Sequence, residues 1–149
     1  MRDAAGYTVT EMSPEETMRA LQSTDDAVMI DVRTKAEWSF VGLPDLSSTG
    51  RQLLLSEWKK FPDMSQNESF VEEVMQGLDG ARPSKLFFMC RSGVRSMQAA
   101  YALAAALGET GASGECVNIA QGFEGDLGPA GHRGSTGGWK AAGLPWRQT

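Results

Sequence analysis

The chain has 149 residues, 41% of them apolar, and a net charge of −5. That is enough to bury roughly two-thirds of its unfolded surface without staples, and the acidic balance argues against a nucleic-acid surface, which needs a basic patch. No apolar run approaches the ~20 residues of a membrane span, and two cysteines, Cys90 and Cys116, are too few for a disulfide framework. With a short polar start over 1–6 that carries no charged-then-apolar signal, the expectation is one cytoplasmic α/β domain over 1–149, its core spanning about 7–147, with neither nucleic acid nor membrane as partner.

In chain order, strand and helix signals alternate, which favours a parallel sheet with helices on its faces. Tyr7-Thr8-Val9-Thr10 has the β-branched and aromatic makeup of a first strand. A helix start follows, with Ser13 as N-cap, Pro14 in the first turn and Glu16 at the capping-box position; Met18 and Leu21 supply part of its apolar face. Ala27-Val28-Met29-Ile30 reads as a buried strand that delivers Asp31-Val32-Arg33 to its carboxyl end. Thr34-Lys35-Ala36-Glu37 repeats the capping-box pattern, so a short helix is expected to carry Trp38.

The middle of the chain is more ambiguous. Leu53-Leu54-Leu55 fits a third strand or a helical turn, and 61–67 reads as an exposed loop. Phe70, Val71, Val74, Met75 and Leu78 fall at helical spacing, and Gly80 marks the stop. Leu86-Phe87-Phe88-Met89 is a wholly apolar strand, and 94–107 is rich in good helix formers. A turn over 108–114 leads to a last strand, Cys116-Val117-Asn118-Ile119. A glycine-rich loop over 122–138 follows, then a short helix, Trp139-Lys140-Ala141-Ala142, closed by Gly143 and Pro145.

Between the apolar strand and the long helix lies Cys90-Arg91-Ser92-Gly93-Val94-Arg95-Ser96. A loop at a strand's carboxyl end that feeds a helix is where open α/β sheets bind ligands, and unpaired N–H groups and the helix dipole there favour an anion. A cysteine so placed is expected to be a thiolate nucleophile. Cysteine phosphatases use a similar junction, but with five residues between cysteine and arginine. Four separate Cys90 from Arg95, a tighter ring that suits a sulfur atom carried on the thiol better than a phosphoryl group.

Three separated motifs resemble the rhodanese-like (thiosulfate sulfurtransferase) domains. They are Asp31-Val32-Arg33 with Glu37-Trp38, the Cys90 to Arg95 loop, and Gly138-Trp139-Lys140-Ala141-Ala142-Gly143-Leu144-Pro145-Trp146, in the family's order. Gly122-Phe123-Glu124-Gly125-Asp126-Leu127, followed by Gly131-His132-Arg133-Gly134, is similar to a single-domain bacterial branch. Val41-Gly42-Leu43-Pro44-Asp45 departs from the family's usual Gly-His-Ile-Pro-Gly-Ala-like segment, and 48–83 is longer than in the smallest members. The resemblance implies a three-layer α/β/α fold around a mostly parallel five-stranded sheet, and a persulfide-forming cysteine at Cys90.

On that reading sulfane sulfur passes from thiosulfate or a similar anion to Cys90, then to a thiol, dithiol or protein persulfide acceptor, with no cofactor. A carrier in a protein relay, or a non-catalytic binding module, are the alternatives. Cys90 is the expected nucleophile. Arg91, Ser92, Gly93, Val94 and Arg95 line the anion site, with Arg91 at the mouth, Gly93 permitting tight curvature and Arg95 closing the loop through hydrogen bonds or an ion pair. Ser92 and Ser96 bond the loop or cap the helix. Asp31 and Arg33 are expected to pair with each other or with nearby loop groups, supporting the site without touching the transferred sulfur. Cys116 is expected in the core, and His132, the only histidine, is too little for a zinc site.

Overall fold

A computed structural model describes residues 6–126, 128–129, 131–134 and 136–148. The polar start over 1–5 and Leu127 of the glycine-rich stretch lie outside the described residues. In chain order the elements are β1 (Gly6–Met12), α1 (Pro14–Ser23), β2 (Val28–Asp31), α2 (Lys35–Phe40), β3 (Leu43–Pro44), β4 (Gln52–Leu55) and β5 (Lys59–Lys60). After them come β6 (Ser65–Gln66), α3 (Phe70–Leu78), β7 (Lys85–Met89), α4 (Val94–Gly108), β8 (Ser113–Ile119), α5 (Gly138–Ala141) and β9 (Trp146–Arg147).

Five strands form the central sheet in the order β1-β8-β7-β2-β4, and every pairing is parallel. Alternation along the inner strands divides the core between two faces. Val28, Ile30, Leu86, Phe88 and Cys116 meet Phe70, Val74 and Leu78 of α3 and Ala99, Ala100, Leu103 and Leu107 of α4. Met29, Phe87, Met89, Val117 and Ile119 meet Met18 and Leu21 of α1 and Trp139 of α5. The result is a three-layer α/β/α arrangement. Because the strands are parallel, all their carboxyl ends open on one edge. β7 leads through α4 to one neighbour, β8, whereas β2 leads through α2 to the other side, β4, so the crevice between the ends of β7 and β2 is a topological switch point.

Local sequence chemistry accounts for the helix starts. Ser13 and Thr34 each accept the N3 amide of their helix, while Glu16 and Glu37 reach back to the cap amides. The ambiguity over Leu53-Leu54-Leu55 resolves as a strand, because β4 pairs in register with β2 along its whole length. Two expectations are corrected. The segment over 61–67 is not loop throughout: Ser65–Gln66 pairs antiparallel with Lys59–Lys60, and Asn67 is buried, donating to the Glu57 carbonyl. Ser113 and Gly114 belong to β8 and not to the preceding turn. A Cβ on Gly114 would stand 2.7 Å from both the Ser84 carbonyl oxygen and the Tyr7 ring. Glycine is there for close packing within a strand, where its composition signals a turn. Among the described residues no helix is long and apolar enough to cross a membrane.

Replacing Ser13 by alanine removes the hydroxyl that caps α1 and is expected to lower the unfolding free energy by about 1 kcal/mol, measured by urea denaturation.

Candidate active site

Cys90 follows β7, the middle strand of the sheet, and is buried at 1% exposure. The chain turns at Gly93, whose φ of +112° few side chains tolerate, and enters the 15-residue α4. This turn aims the Gly93 amide at the sulfur, to which it donates at 3.0 Å. The Ser96 hydroxyl, one turn into α4 and fully buried, lies 3.2 Å from Sγ on another side. The sulfur therefore sits at the amino end of a long helix, beneath a collar of backbone, where the unpaired amides and the helix dipole favour an anion.

The loop over 121–125 supports this collar from behind. Phe123 donates its amide to the Cys90 carbonyl at 2.8 Å, and Glu124 and Gly125 donate theirs to the Arg91 carbonyl. The approach is so close that a Cβ on Gly122 would fall 2.2 Å from the Cys90 oxygen. The carboxy-terminal motif holds that loop in turn. Trp139 and Lys140 donate amides to the carbonyls of Gly122 and Phe123, and the buried Trp139 indole donates to the Pro145 carbonyl at 2.7 Å.

Asp31 and Arg33 pair with each other at zero exposure. The guanidinium meets both carboxylate oxygens, donates to the Gly42 carbonyl at 2.7 Å, and stacks 4.2 Å from the Phe123 ring centroid. The pair thus links the end of β2, the turn after α2 and the loop behind Cys90.

Arg95 does not close the loop by bonding its amides. It reaches across to α2 and makes a two-pronged ion pair with Glu37, at 2.8 and 3.0 Å. Burial pushes the Glu37 carboxyl up, but the Arg95 hydrogen bonds and charge, with the Thr34 amide, outweigh that and hold it below its ordinary value. Glu37 thereby serves both as N3 of the capping box and as anchor for the cysteine loop.

Ser92 does not cap α4: the N-cap is Gly93, with no side-chain cap bond. Ser92, Gly93 and the exposed Val94 instead line a shallow cavity with Glu11, Asn118 and Gln121. Arg91 is exposed and lines a second, larger cavity on the other side of the loop, of about 590 Å3, with Arg95, Arg133 and the apolar Phe40, Val41, Phe61 and Met64.

Cys116 is buried in the core, and burial pushes its thiol up to about 12, so it is an inert packing residue. His132 is exposed, and no group of three or more His, Cys, Asp or Glu is placed to hold a metal among the described residues.

Two residues at the site are absent from the sequence reading. Asn118 lies within hydrogen-bond distance of the Ser96 hydroxyl, and its amide nitrogen donates to Glu11 on β1 at 3.0 Å. A polar residue amid the apolar run of β8, near the strand's carboxyl end, is the signal that points to it.

No family model matches the chain. A Rickettsia rickettsii protein described as an uncharacterized RP600 homolog is 35% identical over 127 residues, 85% of this chain and 88% of that protein. The uncharacterized RP600 of Rickettsia prowazekii is 32% identical over 123 residues, covering 83% and 85%. Among solved structures, Rv0390 from M. tuberculosis superimposes with a TM-score of 0.80 at 40% identity, over 96% of this chain and 99% of that one. A rhodanese-like domain protein from Staphylococcus aureus gives a TM-score of 0.48 at 18% identity, over 76% and 86%, a likeness too slight to carry an argument.

A carboxyl held low by folding contributes its full stability above its unfolded value and loses it as pH falls through the lower folded value. The Glu37–Arg95 pair should therefore stabilise the protein fully above about pH 4.5 and progressively less below it. Glu37→Gln is expected to flatten this acid limb, read from urea unfolding midpoints across pH; an unchanged limb would show that the pair contributes nothing.

Proposed function

The chain belongs to the family of the Rickettsia RP600 proteins and Rv0390, and we propose that it is a rhodanese-like sulfurtransferase that carries sulfane sulfur as a persulfide on Cys90. The observation that carries this reading is the seat of the sulfur. Cys90 follows the middle strand, accepts the Gly93 amide at 3.0 Å, and faces the amino end of α4.

In the first half-reaction the Cys90 thiolate attacks the outer sulfur of thiosulfate. A sulfur–sulfur bond forms to Sγ, the donor's own sulfur–sulfur bond breaks, and sulfite leaves with the electron pair. In the second, a thiophilic acceptor takes the outer sulfur and the Cys90 thiolate is restored; with cyanide the product is thiocyanate. The Gly93 amide and the helix start favour the anionic sulfur on which both steps depend. Arg91, at the mouth, supplies charge for a dianionic donor.

Arg95 argues against phosphoryl transfer on geometry as well as on loop length. An arginine that grips a phosphoryl group must be free to face it, and both prongs of Arg95 are taken by Glu37. One observation favours the relay form of the same chemistry. The cavity beside Arg91, about 590 Å3 and lined by Phe40, Val41, Phe61 and Met64, is far larger and more apolar than thiosulfate requires. It suits an acceptor thiol presented on an apolar surface.

Incubation with thiosulfate is expected to add one sulfur atom to the intact mass, lost on adding cyanide with release of thiocyanate. Cys90→Ser should abolish the gain and lower turnover by roughly 10⁴ or more. Sulfur found on Cys116, or turnover retained in the variant, would overturn the assignment. Hydrolysis of an aryl phosphate by the protein would favour the phosphatase reading instead.

A further inference from the structure

Ser96 has one proton and two neighbours that contend for it. Its hydroxyl oxygen lies 3.2 Å from Cys90 Sγ and closer still to Asn118 Oδ1. All three residues are at most 1% exposed, so water does not relieve the competition. The orientation of the Asn118 amide decides it. Asn118 lies opposite Glu11 in the register of β8 and β1, and its Nδ2 donates to Glu11 Oε2 at 3.0 Å. An ionised carboxylate can only accept, so Asn118 must turn its NH2 to Glu11 and its carbonyl oxygen to Ser96. That oxygen also only accepts. The Ser96 proton is therefore drawn to Asn118, and what Ser96 offers Cys90 is a lone pair.

We infer that Glu11, Asn118 and Ser96 form a positioning relay in which the charge of Glu11 sets the direction of the Ser96 hydroxyl and so restrains Cys90 as a thiol until that charge is neutralised. A lone pair facing Sγ accepts from S–H and repels S⁻, opposing the Gly93 amide on the other side of the sulfur. Once the Glu11 charge is removed, the Asn118 amide is free to turn over and present its NH2 to Ser96. The Ser96 proton then swings to the sulfur as a hydrogen bond to the thiolate, while the thiol's own proton leaves to solvent or substrate.

The inference takes Cys90 as the nucleophile, as the sulfurtransferase reading does, and identifies residues that govern its readiness. Glu11 is exposed on β1 and lines the shallow cavity with Ser92, Gly93 and Val94, so the switch stands where a cationic group of a partner or substrate can reach it. The other charged groups around the sulfur are accounted for. Arg95 of α4 is neutralised by Glu37 of α2. Asp31 and Arg33 neutralise each other, Arg91 faces the larger cavity, and Glu115, further back on β8, pairs with Lys85. Glu11 is therefore the carboxylate joined to Cys90 through hydrogen bonds.

The test is a pH titration of the far-ultraviolet thiolate absorbance of the whole protein, with Cys90→Ser subtracted as blank. Cys116, held to about 12, is silent below that range. Glu11→Met, which removes both the charge and the acceptor, is expected to raise the thiolate-to-thiol ratio at neutral pH by about tenfold, and the same change in a Ser96→Ala background by less than about twofold. No change in the single variant overturns the relay. An equal change in both backgrounds also overturns it, since that is the signature of a carboxylate acting through space. Should Ser96→Ala fail to fold, Asn118→Ala severs the same chain and completes the same cycle. Because the absorbance needs no sulfur donor, loss of persulfide formation would sink the sulfurtransferase reading and leave this result standing.

Discussion

The buried ion pair between Asp31 and Arg33 is the contact on which the rest of the site depends. Taking a guanidinium out of water is tolerable only if its charge is met, and here the charge, the Nε and the Nη2 are met from three separate parts of the chain, while the buried Nη1 has no hydrogen-bond partner among the described residues. Asp31 takes two prongs from the end of β2, the Gly42 carbonyl accepts from the turn after α2, and the Phe123 ring covers the flat face from the loop after β8. Phe123 in turn donates its amide to the Cys90 carbonyl. Removing one member of such a pair typically costs ~3–5 kcal/mol, because the survivor is left charged in a dry interior. The loop that carries the sulfur is thus braced through a charge at the end of the neighbouring strand.

Around the sulfur itself, opposing influences are balanced. The Gly93 amide and the helix start favour an anion, whereas the Ser96 hydroxyl is shared between the sulfur and the Asn118 carbonyl oxygen. Arg95, a cation of the same loop, is matched by Glu37. The Cys90 thiol is itself buried, at 1% exposure. The cavity by Arg91 and the one by Glu11 lie on opposite sides of the same turn.

Much of the frame was legible before any coordinate. The capping boxes at Ser13 and Thr34, the apolar runs of β2 and β7, the helical spacing of α3 and the strand–loop–helix around Cys90 are local patterns, and local patterns dictate local structure. The misreadings have a common source. Gly114 signals a turn by composition, yet its strand needs a missing Cβ because Tyr7 and the Ser84 carbonyl crowd it. The hairpin of β5 and β6 lacks the alternating apolar pattern that marks a strand, because both strands are largely exposed.

The sequence by itself determined that Cys90 stands between a buried strand and a helix, and that its loop is one residue tighter than a phosphatase loop. Those facts follow from spacing, and spacing is a property of the chain alone. Tertiary structure decided who the partners are. Glu37 reads locally as a capping residue and becomes the anchor of Arg95, 58 positions away. Asn118 reads as an interruption in a strand and joins Glu11, 107 positions away, to Ser96. Partners so distant along the chain meet only because parallel strands bring all their carboxyl ends to one edge of the sheet, and no local pattern encodes which ends will be neighbours.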